Sequence, residues 1–123
     1  MTTMRGLRTV KYAVSDLAKA KAWYAEAFGV EPYFDELFYV GFDIDGYELG
    51  LDPDPAGVTV GNNTVAYWGT DDVDAAYTRL LSLGATEHHA PQDVGGGIRL
   101  ASVRDPFGNV LGIIVNPHFR ARD

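Results

Sequence analysis

The 123-residue chain contains itself twice, and that repeat limits its possible folds more than any other feature. The stretch Asp16-Leu17-Ala18-Lys19-Ala20-Lys21-Ala22-Trp23-Tyr24 runs on to Phe28-Gly29, and a shorter echo, Asp72-Val73-Asp74-Ala75-Ala76-Tyr77, runs on to Leu83-Gly84. From Asp16 to Asp72 is 56 positions and from Gly29 to Gly84 is 55, so the copies differ by one residue. An aspartate ahead of an apolar-periodic run predicts a helix N-cap, because its carboxylate accepts free N–H groups of the first turn. A glycine behind the run predicts the left-handed residue that ends a helix. Leu17, Ala20, Tyr24 and Phe28 fall on one face of the first helix, and Val73, Ala76, Leu80 and Leu83 on one face of the second.

The flanks repeat as well. Leu7 to Val14 and Thr64 to Thr70 read as strands ahead of the helices. Phe38 to Ile44 and Tyr47 to Leu51 follow the first helix, joined at Asp45-Gly46; Ile98 to Arg104 and Val110 to Val115 follow the second, joined at Asp105-Pro106-Phe107-Gly108-Asn109. Both joints carry hairpin chemistry. Weaker strands are predicted near Glu31 to Phe34 and near Thr86 to His89, and Asp52 to Asn63 reads as a linker. Each half is then β-α-β-β-β. A half this short buries little core alone, so the two are expected to pack as one α+β domain over residues 1–123. Its modules span approximately 5–57 and 62–118, with curved mixed sheets around a shared cleft and the helices outside.

This pattern resembles the vicinal-oxygen-chelate superfamily, the glyoxalase and bleomycin-resistance fold, whose members include glyoxalase I, extradiol dioxygenases, fosfomycin-resistance proteins and bleomycin-binding proteins. The motifs that carry the resemblance are Val14-x-Asp16-Leu17, Trp23-Tyr24 with Phe28-Gly29, Leu83-Gly84-Ala85, and Asp105-Pro106-Phe107-Gly108-Asn109, in order along nearly the whole chain. Relatives that do metal chemistry hold a divalent ion with His, Gln or Glu from four places. One lies seven residues before each helix-capping Asp, and one lies four residues after each turn glycine. Carried onto this chain, those places are Thr9, Val65, Gly50 and Gly112. None supplies an imidazole or carboxylate, and such an ion needs several N or O donors in one shell. The resemblance therefore implies the fold without its metal. Another alignment would make Glu48 a ligand, and a single carboxylate cannot hold a catalytic ion. No metal and no cofactor are expected.

Strand periodicity places Lys11, Glu48, Tyr67, Val110 and Ile114 on the same faces as those four positions. The expected ligand-binding set is Thr9, Lys11, Glu48, Gly50, Val65, Tyr67, Gly112 and Ile114. The glycines leave volume there, and an apolar cleft with a few polar groups suits a small organic molecule. Arg99 joins the set only if its register points it inward, which the sequence leaves open. The leading reading is a metal-independent binding protein for a small apolar or aromatic molecule. Alternatives are a lyase or isomerase of glyoxalase type (or a dioxygenase-related enzyme) with Glu48 as the best candidate base, and a regulatory or structural module without a ligand. A two-fold homodimer is expected, as for two-module relatives of this size.

Composition narrows the partners. A formal charge of -7 repels phosphate backbones, so no nucleic-acid partner is expected. The absence of cysteine excludes disulfides and thiolate chemistry. No apolar run is long enough to span a bilayer, Met1 to Gly6 has no apolar segment of signal type, and a cytoplasmic location is expected. His88-His89 precedes Pro91, and in a regular strand adjacent side chains point to opposite faces and cannot share one ion. Gly95-Gly96-Gly97 lacks the Lys-Ser/Thr of a phosphate loop, leaving a flexible loop or a lid. Ser15, Ser82 and Ser102 have no nucleophile-elbow motif.

Overall fold

The computed structural model describes residues 4–61 and 63–119. The chain divides between Val58 and Thr59 into two compact units. Each holds one helix and one four-stranded mixed sheet, as the repeat predicts.

The first unit runs β1 (Thr9–Ala13), α1 (Leu17–Phe28), β2 (Phe34–Glu36), β3 (Tyr39–Ile44) and β4 (Tyr47–Asp52), with sheet order β1-β4-β3-β2. Asp16 caps α1 by accepting the Lys19 N–H at 3.1 Å, and Gly29 ends it at φ 68°. β1 pairs parallel to β4, with Thr9 opposite Glu48 and Lys11 opposite Gly50. β3 pairs antiparallel to β4, with Gly41 opposite Gly50 and Asp43 opposite Glu48. Residues that pair across strands share a face. One face therefore carries Tyr12, Val40, Phe42, Leu49 and Leu51, all buried, and packs against α1 through the stacked rings of Tyr12 and Tyr24. The other face carries Thr9, Lys11, Gly41, Asp43, Glu48 and Gly50. The Asp45-Gly46 turn has φ of 53° and 91°, the positive pair that a two-residue hairpin requires.

The second unit runs β5 (Ala66–Gly69), α2 (Val73–Ser82), β6 (Thr86–Gly95), β7 (Ile98–Arg104) and β8 (Val110–Val115), in sheet order β5-β8-β7-β6. Asp72 caps α2 through the Ala75 N–H at 3.0 Å. Val73, Tyr77 and Leu80 are its buried residues. The Tyr77 hydroxyl donates to Glu87 at 2.6 Å, and burial, then that bond, pushes its pKa up to about 12. The Asp105-Pro106-Phe107-Gly108-Asn109 turn is built on a buried carboxylate. Asp105 accepts the backbone N–H groups of Phe107 and Asn109 at 2.9 and 2.8 Å and the Asn109 side-chain amide at 3.0 Å.

β6 departs most from expectation. It runs ten residues rather than ending before Pro91, and its pairing with β7 shifts register between Glu87 and His89 and again between His89 and Gln92. Pro91 has no N–H to give, and the second irregularity accommodates it within the strand. The first places the His88 and His89 rings edge to face at 4.4 Å, which a regular strand would not do. His88 Nδ1 lies 2.7 Å from the hydroxyl of buried Ser102. Burial, then the neighbouring His89, pulls the His88 pKa down. Gly96-Gly97 forms the tight β6–β7 turn, with φ of 64° and 78°, and His118 Nε2 lies 2.7 Å from the Gly96 carbonyl. No helix among the described residues is long and apolar enough to cross a membrane.

Candidate functional site

In the first unit the face away from α1 gathers an unusual set of groups around one carboxylate. Gly41 and Gly50 lie side by side on β3 and β4 and form a floor without side chains. Two tyrosines lie on this floor. A β-carbon added at Gly50 would stand 2.6 Å from Tyr39 Cζ, and one added at Gly41 would stand 2.9 Å from Tyr33 Cε1 and 2.7 Å from Glu48 Oε2. Only glycine permits approaches this close.

The hydroxyls of this layer converge on Glu48. Thr9 Oγ1 donates to Oε1 at 2.9 Å, and the Tyr33 hydroxyl donates to Oε2. The Tyr39 hydroxyl is a third hydrogen-bond partner. The Tyr33 bond above all, with help from Thr9 and Tyr39, holds the Glu48 carboxyl below its ordinary range against the opposing effect of partial burial. The tyrosines respond in the opposite sense. The bond to Glu48 pushes Tyr33 up, and burial, then the bond to Glu48, pushes Tyr39 up to about 12. Among the described residues no lysine or arginine forms an ion pair with Glu48: Lys11 reaches Asp52 at 3.3 Å and Lys21 reaches Asp35 at 3.0 Å. Next to this cluster is an open depression of about 210 Å³, lined by Arg8, Tyr33, Asp43, Gly46, Tyr47 and Glu48.

The matching face of the second unit is different. Tyr67 pairs with Gly112, and its ring lies over that glycine: an added β-carbon would stand 2.6 Å from Tyr67 Cδ1 and 2.8 Å from the Ala66 carbonyl oxygen. Ile114 shares this face opposite Gly69, and Val65 lies just ahead of β5. Val110 stands where the first unit has Glu48, and is buried. The register settles Arg99. It points to the helix side, where it holds Asp74 of α2 through two bonds of 2.8 Å and Asp93 at 3.1 Å.

The four positions at which metal-binding relatives carry ligands are thus Thr9, whose hydroxyl is spent on Glu48; Val65; and two glycines whose overlying space holds Tyr39 and Tyr67. Among the described residues no three His, Cys, Asp or Glu side chains cluster as a metal seat would require. A divalent ion does not fit these residues. Sequence periodicity put Thr9, Lys11, Glu48 and Gly50 on one face, and the structure brings them there. Tyr33, Tyr39 and Gly41 were missed. A glycine within a strand, at Gly41, was the available signal.

A family model for the Glyoxalase/Bleomycin resistance protein/Dioxygenase superfamily matches residues 6–113. The chain belongs to this superfamily. No curated protein sequence matches it. Solved structures with the same fold include a glyoxalase/bleomycin resistance protein/dioxygenase family enzyme from Burkholderia phytofirmans PsJN (21% identity, 89% of this chain and 98% of that one, TM-score 0.76). A lactoylglutathione lyase from Agrobacterium tumefaciens is similar at 23% identity over 91% and 94% of the two chains, TM-score 0.71. A bleomycin resistance determinant encoded on the transposon Tn5 is similar at 22% identity over 92% and 99%, TM-score 0.70. At these identities the superfamily members share the α+β fold of two four-stranded mixed sheets and two helices with this chain.

Proposed function

We propose that this superfamily member is a metal-independent binding protein for a small organic molecule. The polar anchor of its site is Glu48 on the helix-free face of the first sheet. The observation that carries the reading is the glycine floor on which three hydroxyls converge on one carboxylate that pairs with no lysine or arginine among the described residues. Thr9, Lys11 and Gly50 belong to that face. Val65, Tyr67, Gly112 and Ile114 form the corresponding, more apolar face of the second sheet. The same hydroxyls tell against an enzyme that uses Glu48 as a base. Stabilising the anion lowers its affinity for a proton, and a general base works best with a pKa near the operating pH. They favour Glu48 as a fixed negative charge.

The test is a thermal-shift screen of phenols, quinones, amines and planar drugs, repeated after chelator treatment. A ligand at about 100 times its dissociation constant should stabilise the fold by roughly 2.7 kcal/mol, with the chelator changing nothing. Glu48→Gln should weaken the hit, and Lys19→Ala should not. Near-stoichiometric zinc, nickel, manganese or iron in the purified chain would overturn metal independence. A homodimer is part of the proposal, supported by the exposed aromatic patch of Tyr33, Phe34 and Phe38 beside Leu37. Light scattering at 13.4 kDa would refute it.

A further inference from the structure

The depression beside Glu48 carries an unbalanced charge. Its lining includes two carboxylates, Asp43 and Glu48, and one cation, Arg8. Arg8 does not neutralise either carboxylate. Its Nη1 turns back on the segment ahead of β1 and donates to the Gly6 and Leu7 carbonyls at 2.8 and 3.4 Å. Asp43 Oδ1 accepts the Gly46 N–H at 2.8 Å and closes the β3–β4 turn. Hydrogen bonds from neutral donors hold a carboxylate in its charged form without cancelling the charge, and that is the state of Glu48 here. The Tyr33 ring, whose hydroxyl donates to Glu48, lines the same space. A carboxylate beside aromatic faces is a favourable setting for an organic cation, because the ring quadrupole and the carboxylate attract it together.

The geometry also discriminates between cations. A carboxylate has about four lone-pair sites, and hydroxyls of Thr9, Tyr33 and Tyr39 already use three on Glu48. On Glu48 too little remains for the two parallel bonds of a guanidinium fork. An ammonium needs one site, and a quaternary ammonium needs none. The volume, about 210 Å³, lies below the roughly 300 Å³ at which drug-sized pockets begin. It suits a head group rather than a whole drug.

We infer that this depression receives the alkylammonium or quaternary ammonium head of a small organic molecule, with Glu48 and Asp43 as counter-charges and the Tyr33 ring as a wall. The inference rests on the small-molecule reading above and names the ligand class of that site. The experiment uses the full chain, isotopically labelled, titrated at low salt with benzyltrimethylammonium, benzylguanidinium, benzyl alcohol and benzoate. The expected result is saturable shifts for the quaternary ammonium at Thr9, Tyr33, Gly41, Gly46 and Tyr47, weaker binding of the guanidinium, and no binding of benzoate. Binding should fall at least tenfold in Glu48→Gln and fall with added salt, while Lys19→Ala leaves it unchanged. Because the shift map comes from the unmutated protein, poor folding of Glu48→Gln would not spoil the test. Equal binding of benzyl alcohol and the ammonium, or tighter binding of benzoate, would overturn the cation assignment and leave the small-molecule reading standing. Shifts confined to other residues would overturn the site. No binding by any of the four, together with no hit in the thermal screen, would overturn both.

Discussion

Glu48 and Val110 occupy matching places in the closing strands of the two modules, each two residues before a glycine under a tyrosine ring. Around them the modules agree in strand order, helix capping and register: Gly41 opposes Gly50 as Ser102 opposes Gly112, and Asp43 opposes Glu48 as Arg104 opposes Val110. The chemistry diverges at these same pairs. The first module assembles a carboxylate-centred, hydroxyl-rich face, and the second a more apolar one in which buried Val110 replaces Glu48 and Ser102 turns to His88. A repeated fold thus keeps its helix-side core in both copies while the opposite face is free to differ. That face is set by single residues rather than by the hydrophobic pattern.

If the two cores are equivalent, matched deletions should cost the same. Leu49→Ala and Leu111→Ala each remove a fully buried leucine. Each should destabilise by about 3 kcal/mol in urea unfolding. A loss below about 1 kcal/mol at either site would break the equivalence.

The hairpin turns should differ. Asp105 is buried and accepts three bonds, whereas Asp43 is exposed and accepts one from Gly46. Asp105→Ala should cost about 2–3 kcal/mol, because hydrogen bonds to a charged group are the strong ones. Asp43→Ala should stay within about 0.5 kcal/mol. Equal losses would show that the motif in the second module is only a turn.

The tyrosine-covered glycines give a smaller contrast. An alanine at Gly112 meets the Ala66 backbone as well as a ring, whereas the nearest atoms to one at Gly50 all belong to the Tyr39 side chain. Backbone yields less than a ring, so Gly112→Ala should cost about 2 kcal/mol and Gly50→Ala about 1. Tyr39→Ala should rescue Gly50→Ala, and no single side-chain change should fully rescue Gly112→Ala.

Acid should expose the modules in sequence. His88 and Glu48 both have folded pKa values below their ordinary ones, 6.5 and 4.5, so in each case the unfolded chain binds more protons. Each contribution is complete above the ordinary value and is lost as pH falls through the folded one. Destabilisation from His88 should therefore begin below pH 6.5, and that from Glu48 only below 4.5. Unfolding measured across this range, with His88→Gln and Glu48→Gln as the comparison, should show the two losses separately. A single loss shared by both variants would link the two sites.

The repeat offset, the two capping aspartates, the two closing glycines and the hairpin turns were legible in the sequence because each is a local signal with a local cause. Periodicity also located Glu48 on the face with Thr9 and Gly50, because side chains alternate along any strand. The long β6 was not legible, because its bulges depend on pairing with β7 around Pro91. Nor was the direction of Arg99, which α2 decides by presenting Asp74. Tertiary structure alone decided what fills the space over Gly50 and Gly112. A glycine in a sequence announces room for something. Only the packed neighbours show that the occupants are Tyr39 and Tyr67, and that the Tyr39 and Tyr33 hydroxyls come to rest on Glu48.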